Sequence, residues 1–440
     1  MNTINVRNLV VYTNQYPIWH PYSAEGDDFF SRIDFVSGNG IYLYDANQKE
    51  YVDLSSGLWN INLGYNNPEI LKAISCQMAK LPFCSLFEHT NEIAVKAAIK
   101  LLEFVGEPMK KVVFGCSGSE SVECAIKIMR SYWDNRGLDK KKKIISFTES
   151  YHGTYYGGIS VGGLERSYHD NIGPCLPEMQ FINGSYQEHK CVNCGFECLQ
   201  EVNELISREK NSIAGIIIEP ILASKGGVIP CIKFLSNLVR ICEQNDILVT
   251  IDEVATGFYR TGRDFYFKGL DFKPDIVCLS KGINSGYLPL SATVVNDRIV
   301  SEFMENGQLL QHGSTQGGNL LSCAAMIASL EEYDKLSNEL IQKAPLFKNV
   351  LCDALDGITM VEDIYCTGFL FSIVLLNKSD TFSQRDILEI KKRLVYKGVV
   401  VYYSEIGLTL MPILTMKIEE WERAVQIIAN ELRDWSESKE

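Results

Sequence analysis

Residues 274–282 read PDIVCLSKG, a short apolar run that follows Asp275 and ends in a lysine and a glycine. A run of this length predicts a buried strand of a parallel sheet. Lys281 would then follow the carboxyl end of the strand, where open α/β sheets bind their ligands. Burial at that edge would lower the pKa of the lysine amine. By itself the stretch favours an ordinary surface lysine, so other segments must decide its role.

Other apolar runs predict further strands of the same sheet. They lie at residues 143–147, 214–220, 247–253 and 291–295. Their apolar residues are nearly continuous rather than alternating, which predicts burial of both sheet faces beneath helices. Asp252 stands at the end of one run, and a carboxylate there requires a positively charged partner. Arg260 and Arg263 are the partners that a purely structural role would supply.

A turn that is rich in serine and glycine precedes a predicted helix. Residues 115–120, GCSGSE, join a strand at 112–114 to an amphipathic helix at 121–133. Free N–H groups and the positive end of the helix dipole favour a phosphate group at such a turn. A serine N-cap without a ligand is the alternative that the turn alone leaves open. Beyond the strand at 143–147, Tyr151 and His152 offer rings that would stack on a planar ligand.

Together, these features match the requirements of one cofactor. A phosphate turn, an aromatic ring, an aspartate and a lysine at one sheet edge suit pyridoxal 5'-phosphate (PLP). The lysine would form a Schiff base with PLP, the aspartate would keep its pyridine nitrogen protonated, and the turn would hold its phosphate. The combination predicts a PLP enzyme.

The same residues carry a resemblance to a known family. From about residue 19 to residue 412, the chain resembles the class III (omega-type) aminotransferases of PLP fold type I. The matching segments, in order, are 114–130 (FGCSGSESVECAIKIMR), 151–153 (YHG), 218–220 (IEP), 251–262 (IDEVATGFYRTG), 279–282 (LSKG) and 312–315 (HGST). Six segments in the family's order make the resemblance specific.

The resemblance implies an activity and a set of site residues. The enzyme would move an amino group from an amine or amino acid to a carbonyl acceptor, by a ping-pong mechanism through pyridoxamine phosphate. Lys281 would be the Schiff-base lysine and the general acid and base, and Asp252 the pyridinium partner. The other implied cofactor contacts are Ser117, Gly118, Ser119, Tyr151, His152, Glu219, Val254 and Thr315. Thr315 would reach the phosphate of a neighbouring subunit, which implies a homodimer.

One segment departs from the family pattern. Many members grip an α-carboxylate with an arginine in a Gly-Val-x-x-Arg segment, but residues 398–403 read GVVVYY here. Tyrosine cannot reproduce the two parallel hydrogen bonds of a guanidinium group. We therefore expect at least one amine or ketone substrate without a nearby carboxylate, in a pocket of Trp19, Trp59 and Tyr402.

Two alternatives stay open on the sequence. Another PLP reaction, such as that of an aminomutase, a racemase or a decarboxylase, would use the same cofactor residues. A non-catalytic protein that keeps the fold is the second alternative, although intact Lys281, Asp252 and Ser119 argue against it.

The predicted fold class is α/β, with unequal domains. Residues 71–330 would form a large PLP-binding domain with a mainly parallel, seven-stranded sheet covered by helices. Residues 1–70 and 331–440 would build a smaller α+β domain from both chain ends.

Composition narrows the setting. A net charge of -13 argues against a nucleic-acid partner. The sequence shows neither a signal peptide nor an apolar stretch long enough for a bilayer, so we expect no membrane association and a cytoplasmic location. The 14 cysteines then predict free, mostly buried thiols. We expect no metal, and zinc at Cys191, Cys194 and Cys198 is a weak alternative because the second Cys-x2-Cys pair of a zinc ribbon is missing.

Overall fold

The computed structural model describes residues 18–22, 33–164, 166, 169–183, 199–270, 272–305, 307–375 and 383–437. The strands within these ranges are β1 (Phe35–Asn39), β2 (Tyr42–Asp45), β3 (Glu50–Asp53), β4 (Met109–Gly115), β5 (Lys143–Phe147), β6 (Met179–Ile182), β7 (Ile213–Ile218), β8 (Leu248–Asp252), β9 (Ile276–Leu279), β10 (Ser291–Asn296), β11 (Val361–Thr367), β12 (Leu370–Leu375), β13 (Val399–Val400), β14 (Tyr402–Ser404) and β15 (Gly407–Leu410).

The α-helices of the same ranges are α1 (Ser56–Trp59), α2 (Pro68–Lys80), α3 (Glu92–Val105), α4 (Gly118–Asn135), α5 (Tyr156–Val161), α6 (His169–Ile172), α7 (Gln200–Glu209), α8 (Ile232–Gln244), α9 (Asp297–Glu305), α10 (Leu320–Leu355), α11 (Gln384–Tyr396) and α12 (Ile418–Glu437). Two short 3-10 helices cover Tyr266–Gly269 and Lys281–Asn284.

A seven-stranded sheet in the order β4-β10-β9-β8-β7-β5-β6 forms the centre of the protein. The strands from β9 to β6 pair in parallel, and β10 alone runs antiparallel, between β4 and β9. Every residue of β7, β8, β9 and β10 is buried, as the continuous apolar runs predicted. The predicted fold class, a mainly parallel sheet covered by helices, is confirmed.

The two faces of this sheet pack into separate hydrophobic clusters. In β7, Ile217 belongs to the cluster that contains the apolar face of α4, with Met129 and Trp133. Its neighbours Ile216 and Ile218 belong to the larger cluster on the other face. Alternate side chains of a strand point to opposite faces, so a strand between two helical layers must be apolar throughout.

Both chain ends contribute to the smaller sheets. One has the order β1-β2-β3-β13, in which β13 joins the N-terminal strands by parallel pairing with β3. The other has the order β11-β12-β15-β14. The predicted domain boundaries stay predictions, and α10 runs across the predicted boundary at residue 330. Apolar residues at helical spacing, including Leu340, Phe347 and Leu351, continue its buried face.

Within the ranges given above, the helices include none with the length and hydrophobicity that a bilayer span requires.

Candidate active site

The candidate active site is a cleft at the carboxyl ends of the central strands. Asp252 is the last residue of β8, Glu219 follows β7, and Lys281 follows β9 with one residue between. The cleft opens to solvent. It is lined by Trp59, Gly118, Ser119, Tyr151, His152, Gly153, Glu219, Ser224, Asp252, Val254, Ala255, Ser280 and Lys281.

Lys281 occupies a strained turn in the cleft. Its φ of 43° lies in the left-handed region, which residues other than glycine seldom adopt. Its Nζ lies 4.6 Å from the ring centroid of Trp59. Burial lowers the pKa of the amine to about 8, although the charges of Asp252 and Glu219 act in the opposite direction. A lysine with this pKa is partly unprotonated near neutral pH, as a nucleophile and proton carrier must be.

His152 is the partner of Asp252. The distance from His152 Nδ1 to Asp252 Oδ2 is 2.8 Å, and the two side chains are only 0% and 6% exposed. The imidazole nitrogen must donate this hydrogen bond, because an ionised carboxylate only accepts. Asp252 Oδ1 accepts a second hydrogen bond from the backbone N–H of Val254 at 3.1 Å. Both carboxylate oxygens are therefore held, which fixes the orientation of Asp252.

The arginines that we considered as partners of Asp252 do not take that role. Arg260 is fully buried and donates to Asn62 Oδ1 at 2.8 Å and to the Pro412 carbonyl at 2.7 Å. No salt bridge in the described part of the chain joins Arg260 or Arg263 to Asp252. The sequence placed Arg260 eight residues from Asp252, but the chain turns after β8 and carries the guanidinium group into the core.

Glu219 binds the backbone of Tyr151. Its carboxyl group accepts a hydrogen bond from Tyr151 N at 2.7 Å. Burial raises the pKa of Glu219 well above its usual range, and repulsion from Asp252 adds to this shift. The raised pKa favours the protonated form of this carboxyl group.

The predicted phosphate turn forms the start of α4. Ser117 is the N-cap, and its Oγ accepts from Glu120 N at 3.2 Å. The amides of the first helical turn, including those of Gly118 and Ser119, have no acceptor within the helix. A Cβ on residue 118 would lie only 2.9 Å from Val254 Cγ1, so this wall of the cleft requires glycine. The site suits an anion at its positive helix end.

An outer pocket adjoins the cleft. Trp59 and Tyr402 stand edge to face there, with ring centroids 5.1 Å apart and an interplanar angle of 79°. The pocket is lined by Tyr22, Leu58, Trp59, Tyr151, Leu164, Ser224, Lys225, Lys281, Tyr402 and Glu405. The structure thus brings two of the three predicted substrate-pocket residues together beside Lys281.

Three predicted residues line neither the cleft nor the outer pocket. Trp19 is 90% exposed and borders neither the cleft nor the outer pocket. Thr315 is exposed on the loop before α10. Ser117 is the N-cap of α4, and its side chain accepts a hydrogen bond from the helix backbone. The roles of Trp19 and Thr315 stay predictions, and Cys191, Cys194 and Cys198 lie outside the described residues. Within those residues, no group of three or more potential metal ligands occurs.

Sequence reasoning missed Gly153, Ser224, Lys225 and Glu405. The sequence did contain an indication for Lys225. This residue precedes two glycines, Gly226 and Gly227, in the turn that follows β7. A polar residue in a glycine turn at that edge is a candidate for ligand contact. Glu405 gave no such signal, because only the packing of the C-terminal segment carries it to the pocket.

The cleft fits PLP on its own geometry. The start of α4 offers a phosphate site, and only a glycine at position 118 leaves room beside Val254 there. Asp252 and Lys281 line the same cleft. Two buried polar atoms in the cleft, His152 Nε2 and Trp59 Nε1, lack hydrogen-bond partners among the described residues. Buried polar groups are normally satisfied, so these atoms are available to a ligand.

Comparison with known proteins identifies the family of this chain. The family model described as aminotransferase class-III matches residues 22–432. The adenosylmethionine-8-amino-7-oxononanoate aminotransferase of Methanocaldococcus jannaschii is 31% identical over 443 residues, which covers 94% of this chain and 95% of that protein. An omega-aminotransferase of Caulobacter vibrioides is 28% identical, covering 89% of this chain and 91% of that protein.

Solved structures show the same similarity. The crystal structure of the M. jannaschii enzyme superposes with a TM-score of 0.89 at 30% identity, covering 98% of this chain and 99% of that chain. An amine transaminase from an uncultivated Pseudomonas species, solved with PLP bound, gives a TM-score of 0.88 at 28% identity, with coverage of 96% and 100%. The predictions of PLP fold type I, of PLP as cofactor and of transamination are thereby confirmed. The chain belongs to the class-III aminotransferases, and it is a PLP-dependent transaminase.

Proposed function

We propose that this transaminase uses at least one substrate that has no carboxylate on the reacting carbon. The observation that carries the proposal is Tyr402, which stands against Trp59 in the segment where the family's carboxylate-binding arginine was expected. A tyrosine offers one hydroxyl group and an aromatic face. It cannot make the bidentate contact that a guanidinium group makes with a carboxylate.

The charges of the outer pocket support the same proposal. Among its lining residues in the described part of the chain, only Lys225 and Lys281 are cationic. Lys281 is the residue proposed to bind the cofactor. Lys225 already pairs with Glu149 at 3.4 Å and with Glu405 at 3.0 Å. The space next to the reacting carbon is therefore mainly aromatic, which suits an uncharged substituent.

The name of the M. jannaschii relative agrees with a remote carboxylate. It describes a nonanoate whose oxo group is on carbon 7, and the carboxylate of such an acid is carbon 1. We propose that a substrate of the present chain likewise carries its carboxylate far from the reacting carbon.

Several residues would hold the cofactor. The amides of Gly118 and Ser119 would bind its phosphate, and Asp252 would bind its pyridine nitrogen, oriented by His152. Tyr151 and Val254 would contact the ring faces, and Glu219 would contact the ring hydroxyl. PLP, when bound, supplies the carbonyl carbon that takes up the amino group and a ring that accepts electrons.

Lys281 is the proposed proton carrier. Its Nζ removes the proton from the reacting carbon of the substrate and returns a proton when the carbonyl product is formed. A pKa of about 8 lets the amine take up and release that proton near neutral pH. Trp59 is 6% exposed and covers the amine from the side of its ring, which limits the access of water.

Steady-state kinetics with a donor panel tests the substrate proposal. The panel contains alanine, glutamate, 4-aminobutyrate and simple amines, and cofactor absorbance reports each half-reaction. We expect turnover of at least one donor or acceptor whose reacting carbon lacks a carboxylate. Exclusive use of α-amino acids and α-keto acids in both half-reactions would reject the proposal. Stoichiometric pyridoxamine phosphate from donor alone would exclude the racemase, decarboxylase and aminomutase alternatives.

We also propose a homodimer in which Thr315 serves the partner's site. The loop of Thr315 packs on an exposed apolar segment, since a Cβ on Gly313 would lie 2.7 Å from Phe87 Cζ. Phe87 is 67% exposed, and its sequence neighbour Leu86 is exposed as well. Leu309, which precedes Gly313 in the segment before α10, is also exposed. An exposed apolar patch of this kind supports a protein interface.

Mixed dimers of two inactive variants test this arrangement. A Lys281→Ala chain and a Thr315→Ala chain are coexpressed with different tags, and the hybrid is purified through both. If Thr315 acts in the partner's site, the hybrid contains one intact site and regains about half of the wild-type activity per dimer. Activity no higher than that of the Thr315→Ala homodimer, or a monomer in analytical ultracentrifugation, would contradict the proposal.

We further infer a cytoplasmic location, which the free cysteines of the described residues support, because such thiols persist in a reducing compartment. Cell fractionation with an antibody to the chain tests it.

A further inference from the structure

We propose that Lys225 binds a carboxylate at the far end of the substrate, and that Glu149 and Glu405 hold Lys225 when this carboxylate is absent. The inference rests on the proposed function, because it names a second recognition point for the same substrate. It concerns substrates whose carboxylate is separated from the reacting carbon by several bonds.

The position of Lys225 sets the distance to the reacting carbon. Lys225 lines the outer pocket together with Tyr402 and Lys281, but it does not line the inner cleft. Its neighbour Ser224 lines both. A carboxylate that reaches Lys225 must therefore be separated from the reacting carbon by several bonds.

A tight turn holds Lys225 at this place. Leu222 and Val228 close the turn as an isolated bridge, and Lys225 N donates to the Leu222 carbonyl at 3.2 Å. Gly226 follows with a φ of 88°, and a Cβ there would lie 2.7 Å from Ser404 Oγ. The turn thus packs closely on the C-terminal segment, which leaves little freedom for its backbone.

The ion pairs of Lys225 suit an exchange of partners. The Lys225 side chain is 23% exposed, whereas that of Glu405 is 58% exposed. Glu405 can therefore turn into water at small cost, because exposed ion pairs contribute little free energy. Lys225 stays in the pocket and can form the same charge-assisted hydrogen bond with a substrate carboxylate.

Lys225 pairs with two glutamates, Glu149 and Glu405, so negative charge exceeds positive charge in this group of three side chains. Burial lowers the pKa of Lys225, but the hydrogen bond that Lys225 donates to Glu405 and the charges of Glu149 and Glu405 outweigh burial and raise it. The raised pKa favours the charged form of Lys225. With an uncharged amine as substrate, Glu149 and Glu405 satisfy Lys225, so that no cation is left unpaired.

The experiment compares ω-amino acids with their uncharged amides. The pairs are 4-aminobutyrate with 4-aminobutanamide and 6-aminohexanoate with 6-aminohexanamide, used as donors for the holoenzyme. We expect wild-type kcat/KM to favour the acid of at least one pair by roughly 10- to 100-fold, the range of one charge-assisted hydrogen bond. Lys225→Met should reduce this preference to less than threefold, and Lys225→Arg should retain most of it. Glu405→Gln should lower KM for the acid.

A matched control and a binding measurement complete the design. Lys110→Met removes an ion pair of similar length, 3.0 Å to Glu107, far from the pocket in sequence and outside its lining. This variant should keep the wild-type preference. Pentanoate, which has no amino group, should bind the holoenzyme in calorimetry, and its Kd should rise by the same factor in Lys225→Met.

Three results would overturn the assignment of Lys225. These are a wild-type enzyme that uses acid and amide equally, a Lys225→Met variant that keeps the preference, and pentanoate binding that Lys225→Met leaves unchanged. Each of them leaves the proposed function intact, provided that ω-amines are turned over. Failure of the proposed function has a different signature, namely turnover of α-amino acids only.

Discussion

The His152→Phe substitution should lower kcat/KM of the first half-reaction by roughly 10- to 100-fold while the protein stays folded. Phenylalanine keeps the size and the planarity of the ring but removes both nitrogens. The magnitude follows from the bond to Asp252, which is 2.8 Å long and joins side chains that are 0% and 6% exposed. Water cannot replace a partner at that depth, so the loss should equal a buried charge-assisted hydrogen bond of about 1.5–3 kcal/mol.

The assay has two readouts and a matched control. Cofactor absorbance per chain before and after dialysis reports binding, and stopped-flow mixing with the best donor reports the half-reaction. His169→Phe is the control, because His169 Nε2 makes a hydrogen bond of the same length, 2.8 Å, to the Ile159 carbonyl outside the cleft. We expect this control to change the rate less than threefold. A His152→Phe enzyme that is also within threefold of wild type and retains its cofactor would refute the reasoning.

Three further predictions concern buried charged groups. Lys281→Ala should abolish transamination and the visible absorbance of the lysine-bound cofactor, and retention of both in spectra and rate assays would remove Lys281 from its proposed role. Burial raises the pKa of Glu253 to about 7, so its stabilising contribution is complete below about pH 4.5 and is lost as the pH rises to 7. Glu253→Gln should therefore gain up to about 3 kcal/mol relative to wild type between pH 5 and pH 8, and thermal midpoints that stay parallel over this range would contradict it. Arg260→Met should destabilise the protein by roughly 2–5 kcal/mol, since it removes the buried donor to Asn62 Oδ1 and to the Pro412 carbonyl, and an unchanged midpoint of chemical unfolding would argue against this.

The agreement between sequence and structure is best for residues of the parallel strands. Continuous apolar runs identified β7, β8 and β9, and the residues that follow them could only lie at one edge of the sheet. This is why the sequence predicts that Lys281, Asp252 and Glu219 lie at the same edge of the sheet, where the structure has them. The serine-glycine turn before α4 was equally readable, because a helix start has a local chemical signature.

Contacts between distant segments were much harder to predict. The partner of Asp252 is His152, which is 100 residues away in the chain. Arg260 is near Asp252 in sequence, but its guanidinium group is buried in the core and binds Asn62. Lys225 and Glu405 are 180 residues apart and meet only because the turn after β7 packs on the C-terminal segment.

The sequence by itself therefore determined the fold class, the family, the cofactor and the residues at the strand ends, because each of these follows from local periodicity or from a short motif. The tertiary structure alone decided which charges meet in the outer pocket. Ion pairs such as Lys225 with Glu405 depend on the packing of segments that are remote in sequence, and no local pattern encodes that packing. The same physical reason explains why the chemistry at Lys281 was predictable from the chain, whereas the recognition of its substrate required the folded molecule.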